Sequence, residues 1–177
     1  NGLTDLLHPA QVLSDLFTIY EKKKNLANLK IAFVGDGNNV CHSLMLGASI
    51  LGLNLYIANP LGFEPDKSIV KESLAIAGKT GAEIHFLNSP KPAAKNSDIL
   101  YTDVWASMGK EREEDYRKKS FKDFQINSAI LRLAKKNCLV LHCLPAHRGE
   151  EITDRVIDGK NSIVFKQAEN RLYVQML

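Results

Sequence analysis

Five short runs of β-branched and aliphatic residues, separated by segments of helical period, constrain the fold of this chain more than any other feature. Lys30–Val34, Leu53–Ala58, Glu83–Leu87, Ile99–Asp103 and Cys138–His142 each have the length and composition of a strand. Between them, Val40–Leu51, Ser68–Ala77 and Phe124–Ala134 repeat apolar residues at helical spacing. Alternation of this kind gives a parallel sheet with helices on both faces. Ile31-Ala32-Phe33-Val34 and Leu139-Val140-Leu141 are apolar throughout, as strands covered on both sides must be. The expected fold is α/β: a doubly wound, open parallel sheet of about five strands, Rossmann-like, flanked by N- and C-terminal helices.

Ahead of the first strand, Pro9 suits a first helical turn, and Val12, Leu13, Leu16, Phe17 and Tyr20 mark the face expected to be buried. The basic runs Lys22-Lys23-Lys24 and Arg117-Lys118-Lys119 read as solvated helix ends, and the Pro-rich Ser89–Lys95 as a connection. After the last strand, Gln167–Leu177 has helical composition. The expected division is a linking helix over 1–26, an α/β domain over 27–165 and the start of a C-terminal helix over 166–177. The first residue is Asn1 rather than Met, with no signal segment after it, so the chain is expected to begin inside a longer gene product.

Composition removes several classes of function. With 23 basic and 20 acidic residues the net charge is +3, and 45% hydrophobic with 24% charged residues is ordinary for a globular domain. The longest apolar stretch, Ser43–Ile57, is broken by Gly47, Gly52 and Asn54 and falls short of the roughly 20 residues that span a bilayer, so no membrane segment is expected. Basic residues are dispersed and few aromatics accompany them, which gives no nucleic-acid footprint. Cys41, Cys138 and Cys143 are an odd count without CxxC spacing, fitting neither a disulfide framework nor a zinc site. A reducing cytoplasm is the expected compartment and no metal is expected; His42, His85 and His147 read as structural or surface residues.

In open parallel sheets ligands bind beyond the carboxyl ends of the strands. Those ends are Gly35-Asp36-Gly37-Asn38-Asn39, Asp103-Val104-Trp105-Ala106-Ser107-Met108-Gly109 and His142-Cys143-Leu144-Pro145. Together they offer an acid, amides, a hydroxyl and a thiol. The glycine loop invites a dinucleotide reading, but Val40 stands where a GxGxxG pattern needs its third glycine, and the second strand runs into Asn59-Pro60 rather than an acid. Taken singly the residues have plainer roles: Asn38 or Asn39 as a helix cap, Asp103 as a turn cap, Cys143 as a buried small hydrophobe. A Cys143–His142 nucleophile pair is not implied, because neighbouring strand residues point to opposite faces. His8 and Gln11 share a face near a helix N-terminus, where imidazole and amide donors suit a carbonyl or phosphate oxygen, or else are simply surface residues.

Taken together, His8-Pro9-Ala10-Gln11, the Gly35–Asn39 loop, Asp103-Val104-Trp105-Ala106-Ser107-Met108-Gly109, His142-Cys143-Leu144-Pro145 and Glu169-Asn170-Arg171 resemble, in order and spacing, the signatures of the ornithine carbamoyltransferases. The resemblance runs over essentially the whole chain and corresponds to the family's ornithine-binding half with its linking helix. It implies transfer of a carbamoyl group from carbamoyl phosphate to the side-chain amine of ornithine, giving citrulline and phosphate in arginine metabolism, with no metal or organic cofactor. It implies that Asn39, Asp103, Ser107 and Met108 hold ornithine and that Cys143 accepts the amine proton. His8, Gln11, Cys143, Leu144 and Arg171 are implied to contact carbamoyl phosphate. The family's phosphate-cradling Ser-Thr-Arg-Thr loop is not in this sequence, and the family site lies between two domains of a trimer. This piece alone is therefore expected to be inactive. A carbamoyltransferase for putrescine, a non-catalytic amino-acid-binding module and a dinucleotide-dependent oxidoreductase are the competing readings.

Overall fold

The computed structural model describes residues 2–106 and 113–176. The five strands are β1 (Lys30–Val34), β2 (Asn54–Ala58), β3 (Glu83–Leu87), β4 (Ile99–Thr102) and β5 (Leu139–His142). All pair in parallel in the order β3-β2-β1-β4-β5, so the expected doubly wound open sheet is the one observed. Alternate residues of each strand serve opposite cores. Ile31, Phe33, Leu55, Ile57, Ile99, Tyr101 and Leu141 pack on one face, and Ala32, Val34, Leu100 and Val140 on the other.

The helices are α1 (Pro9–Lys23), α2 (Asn39–Ile50), α3 (Lys67–Thr80), α4 (Pro90–Ala94), α5 (Glu114–Phe121), α6 (Ser128–Leu131), α7 (Asp154–Ile157) and α8 (Val164–Gln175). Several depart from the sequence reading. The Ser89–Lys95 connection contains α4, because Pro90 and Pro92 sit in a first turn that needs no intrahelical N–H donors. Phe124–Ala134 is not one helix: Ile126 is held in an isolated bridge to Ile152, and Asn127 caps only the short α6 through Ala129 N and Ile130 N.

The buried face of α1 is also rotated from expectation. Val12 and Leu16 are buried as expected, but Leu13, Phe17 and Tyr20 are 59%, 40% and 52% exposed. Gln11, Ser14, Asp15 and Thr18 are buried instead. Their partners come largely from α8, whose Gln167 and Asn170 reach α1 with hydrogen bonds to Asp15 and Thr18. A polar helix face can be buried when another element brings donors and acceptors to it. Through these bonds the two flanking helices are tied to each other and, by Tyr101, to the sheet.

Arg117 corrects the reading of its basic run as a solvated helix end. It is 5% exposed, donates to Asp36 Oδ2 at 2.7 Å and to the Trp105 carbonyl at 2.8 Å, and lies over the Phe63 ring. The next two lysines lie nearer the surface, because only one position in three or four of a helix faces the core.

Candidate active site

The strand order reverses between β1 and β4: the chain winds outward through β2 and β3 on one side and through β5 on the other. Such a switch point leaves a crevice at the carboxyl ends of the strands. Here the crevice is a cleft of about 1410 Å³ whose lining includes His8, Asn38, Asn39, Asp103, Cys143, Leu144 and Arg171. Six of the residues singled out from sequence are thus brought to one cavity from five separate stretches of chain. Ser107 and Met108 lie outside the described residues. Gln11, one helical turn along α1 from His8, is 1% exposed and is not among the residues that line the cleft.

Asp103 is the centre of this arrangement. It follows β4 directly, is 6% exposed, and accepts from Asn38 Nδ2 at 2.7 Å, Cys143 Sγ at 2.9 Å and Val104 N at 2.8 Å. The Asn38 bond crosses the switch point, joining the loop after β1 to the end of β4. Asn38 also caps α2, accepting from Val40 N and Cys41 N at 3.1 Å each. Of the two asparagines it is therefore the cap, while Asn39 Nδ2 donates to the Thr4 carbonyl at the cleft wall.

Cys143 is half-buried at the end of β5, and burial followed by the neighbouring Asp103 charge pushes its thiol well above the usual range. It is a thiol donor to a carboxylate rather than a ready thiolate. Its neighbour His142 is fully buried. His142 Nδ1 accepts from Leu144 N at 2.9 Å, so Nε2 carries the proton and donates to Glu151 at 3.0 Å. Glu151 also accepts from His147 N. This buried pair holds Leu144 at φ 57°, a left-handed conformation uncommon for leucine, and so shapes the loop that carries Cys143.

His8 receives a position rather than a cap: its backbone N–H donates to Ser43 Oγ at 2.7 Å, and its Nδ1 is buried with no partner among the described residues. Burial lowers its pKa below the ordinary histidine value, and the nearby Arg171 charge acts in the same direction. A neutral imidazole with an unused nitrogen suits a polar ligand oxygen or N–H. His42 is structural, bridging the Leu6 carbonyl and Asp66 N at 2.8 Å each.

The glycine loop is no dinucleotide cradle. A Cβ on Gly37 would stand 2.3 Å from Pro65 N and 2.7 Å from the Phe63 carbonyl oxygen, so the space given by its missing side chain is filled by 63–65. Asn59 Nδ2 closes the loop further by donating to the Gly35 carbonyl. Gly37→Ala is expected to cost about 1–3 kcal/mol through overpacking, read as a lowered melting temperature. An unchanged melting temperature would mean that 63–65 gives way freely.

Asp103, His142 and Cys143 form one group whose ligand-type atoms lie within 4.8 Å of one another, and His147, Glu150 and Glu151 form another. Neither is visible as sequence spacing. In both, atoms are already engaged in hydrogen bonds within the protein: Cys143 Sγ donates to Asp103, and Glu151 accepts from His142 Nε2 and from the His147 backbone N–H. Sequence reasoning left open which of Asn38 and Asn39 is the cap and which is free for a ligand, and it missed Asp15, Tyr101, Gln167 and Glu151, which support the site from behind.

Fold and cleft together define the class: an open α/β domain with a crevice at its topological switch point. The family model for the Asp/Orn binding domain of aspartate/ornithine carbamoyltransferase matches residues 27–177. The chain belongs to that family. It is 50% identical over 175 residues to the ornithine carbamoyltransferase of Pyrococcus horikoshii, covering 99% of this chain and 55% of that protein. It is 53% identical over 175 residues to that of Bacillus cereus, with the same coverage. The solved ornithine carbamoyltransferase from Pyrococcus furiosus superposes with a TM-score of 0.95 at 49% identity, over 99% of this chain and 56% of that one. The anabolic enzyme from Campylobacter jejuni does so with 0.95 at 40% identity, over 99% and 58%. The chain spans about half the length of the curated relatives it matches. Among the described residues no helix is long and apolar enough to cross a membrane.

Proposed function

We propose that this chain is the acceptor-binding part of an ornithine carbamoyltransferase, transferring the carbamoyl group of carbamoyl phosphate to the side-chain amine of L-ornithine to give L-citrulline and phosphate. The observation that carries the reading is the convergence of His8, Asn39, Asp103, Cys143, Leu144 and Arg171 on one cleft at the switch point. In this reading Asn39 and Asp103, with Ser107 and Met108, hold the amino-acid head of ornithine, the Asp103 carboxylate matching its ammonium. His8, Gln11, Leu144 and Arg171 hold carbamoyl phosphate, Arg171 supplying positive charge and His8 a neutral hydrogen-bonding group.

The chemistry needs a neutral amine, a polarised carbonyl and a stabilised leaving group. The amine nitrogen forms a bond to the carbamoyl carbon, the bond from that carbon to the phosphate oxygen breaks with its electron pair leaving on phosphate, and the nitrogen sheds one proton. With Cys143 a thiol bonded to Asp103, that proton passes to Sγ as the thiol proton passes to Asp103 Oδ1. Asp103 is then the acceptor at the end of the relay and Cys143 its intermediary. No cofactor enters any of these steps. The working unit is read as a cytoplasmic homotrimer of full-length chains. Residues 1–26 serve there as the linking helix, 27–165 as the ornithine-binding domain and 166–177 as the start of the C-terminal helix, with a carbamoyl phosphate domain upstream.

Citrulline formation by the full-length enzyme, compared with ornithine and putrescine as acceptors, tests the reading. A preference for ornithine is expected; carbamoylation of putrescine in its place would overturn the acceptor assignment. The 177-residue chain alone is expected to form no citrulline, and measurable turnover by it would show that the whole site lies within these residues.

A further inference from the structure

Asp15 is a fully buried carboxylate in the middle of α1, and the mechanism above does not use it. It accepts three hydrogen bonds: from Gln11 Nε2 at 2.8 Å, Gln167 Nε2 at 2.7 Å and Tyr101 Oη at 2.7 Å. Among the described residues no cation is hydrogen-bonded to it. The titratable and charged groups that face it are Tyr101 from β4, Arg171 from α8 and Cys143 beyond β5. Burial pushes its pKa up to about 6, so above that pH it is held ionised at a cost to folding. A carboxylate kept in such a place against its desolvation calls for a role beyond packing.

What it does to Gln11 supplies one. A carboxylate only accepts, so the group of Gln11 that faces Asp15 must be the NH2, and the two ends of the amide are not interchangeable. The carbonyl end, Oε1, is then fixed as well. It is buried, with no hydrogen-bond partner among the described residues. It belongs to the same helical face as His8, whose Nδ1 is also buried and unpartnered. A buried carbonyl left open in this way is free to accept from a ligand N–H.

Resting on the proposed function, we infer that Asp15 is a positioning residue that locks the Gln11 amide so that Oε1 accepts from the NH2 of carbamoyl phosphate. The carbamoyl group has one carbonyl and one NH2 of similar size, and an amide free to flip would accept either end. Asp15 removes that freedom and sets which way round the carbamoyl group binds. An asparagine at position 15 would not, since its own NH2 could donate to Gln11 and reverse the amide.

The test is a double-mutant cycle in the full-length enzyme with Gln11→Ala and Asp15→Asn. Each single variant is expected to raise KM for carbamoyl phosphate about tenfold, the worth of one hydrogen bond, with KM for ornithine within about threefold. In the Gln11→Ala background, Asp15→Asn is expected to add nothing further. The melting temperature of Asp15→Asn at pH 8 is expected to be no lower than the parent's, because the ionised group it removes was held against its solvation. Effects that multiply in the double variant, or an unchanged KM in Asp15→Asn, would overturn the inference while leaving the proposed function standing. An unchanged KM in Gln11→Ala would overturn both it and the place of Gln11 in the proposed function. A second measurement needs no substitution. The Gln11 side-chain NH2 should give an exchange-protected nitrogen–proton signal in the full-length enzyme, and a freely exchanging one would sink the inference on its own.

Discussion

Asp103→Asn in the full-length enzyme is expected to lower kcat/KM for ornithine about 100- to 1,000-fold while leaving KM for carbamoyl phosphate within a few-fold. The reason lies in the three donors that converge on this carboxylate, Asn38 Nδ2, Val104 N and Cys143 Sγ, all within 3 Å. An amide in its place must turn its NH2 toward at least one of them, leaving two donors face to face in a site 6% exposed. It also withdraws the negative charge that would match the substrate ammonium and the acceptor at the end of the proton relay. Truncating one partner of a buried charged hydrogen-bond set costs about 2–5 kcal/mol, of which the expected loss is the middle. Steady-state kinetics in both substrates check this. An ornithine kcat/KM within tenfold of the parent's would remove Asp103 from the head-group site and from the relay, and return it to the turn-capping role that its bond to Val104 N also satisfies.

The residues at the cleft were legible in sequence to the extent that their position followed from the strands. Runs such as Ile31–Val34 and Leu139–Leu141 are apolar on both faces, so the strand ends could be located, and Asp103 and Cys143 follow from them. What supports the cleft was not legible, because it depends on contacts that local periodicity does not contain. Asp15 lies on a helix whose apolar stripe, Leu13, Phe17 and Tyr20, is the exposed one. A reading by hydrophobic period puts the acid outside, whereas Tyr101 and Gln167, 86 and 152 positions away in the chain, bring donors that let it be buried. One signal was available: Gln11 and Asp15 are four apart, so an amide and a carboxylate must share one helix face. In the same way, Asn38 reads as a cap from its place before α2, and only the parallel pairing of β1 with β4 shows that its other end reaches Asp103.

Arg117 was hidden by its neighbours, and it carries the largest expected effect on stability. In the sequence it opens a run of three basic residues. In the fold, α5 turns Arg117 and Phe121 inward, four residues apart, with the guanidinium over Phe63 and the Phe121 ring edge-on to Phe63 at 4.7 Å. The guanidinium binds Asp36 in the loop after β1 and the carbonyl of Trp105 in the segment after β4, with side-chain exposures of 6% for Arg117 and 7% for Asp36. It therefore ties together the two strand ends on either side of the switch point. Its third contact, to Glu113, adds little, since that carboxylate is 60% exposed. Arg117→Met keeps the apolar stem against Phe63 but removes the charge facing a buried carboxylate and the donor to a buried carbonyl. The expected cost is about 3–5 kcal/mol, a fall in melting temperature on the order of 10 °C. Arg117→Lys should recover only part of it, because one ammonium cannot reproduce the planar fork that serves Asp36 and Trp105 together. Thermal unfolding of the 177-residue chain measures both variants. A loss under 1 kcal/mol in Arg117→Met would mean that the pair contributes no more than a surface salt bridge.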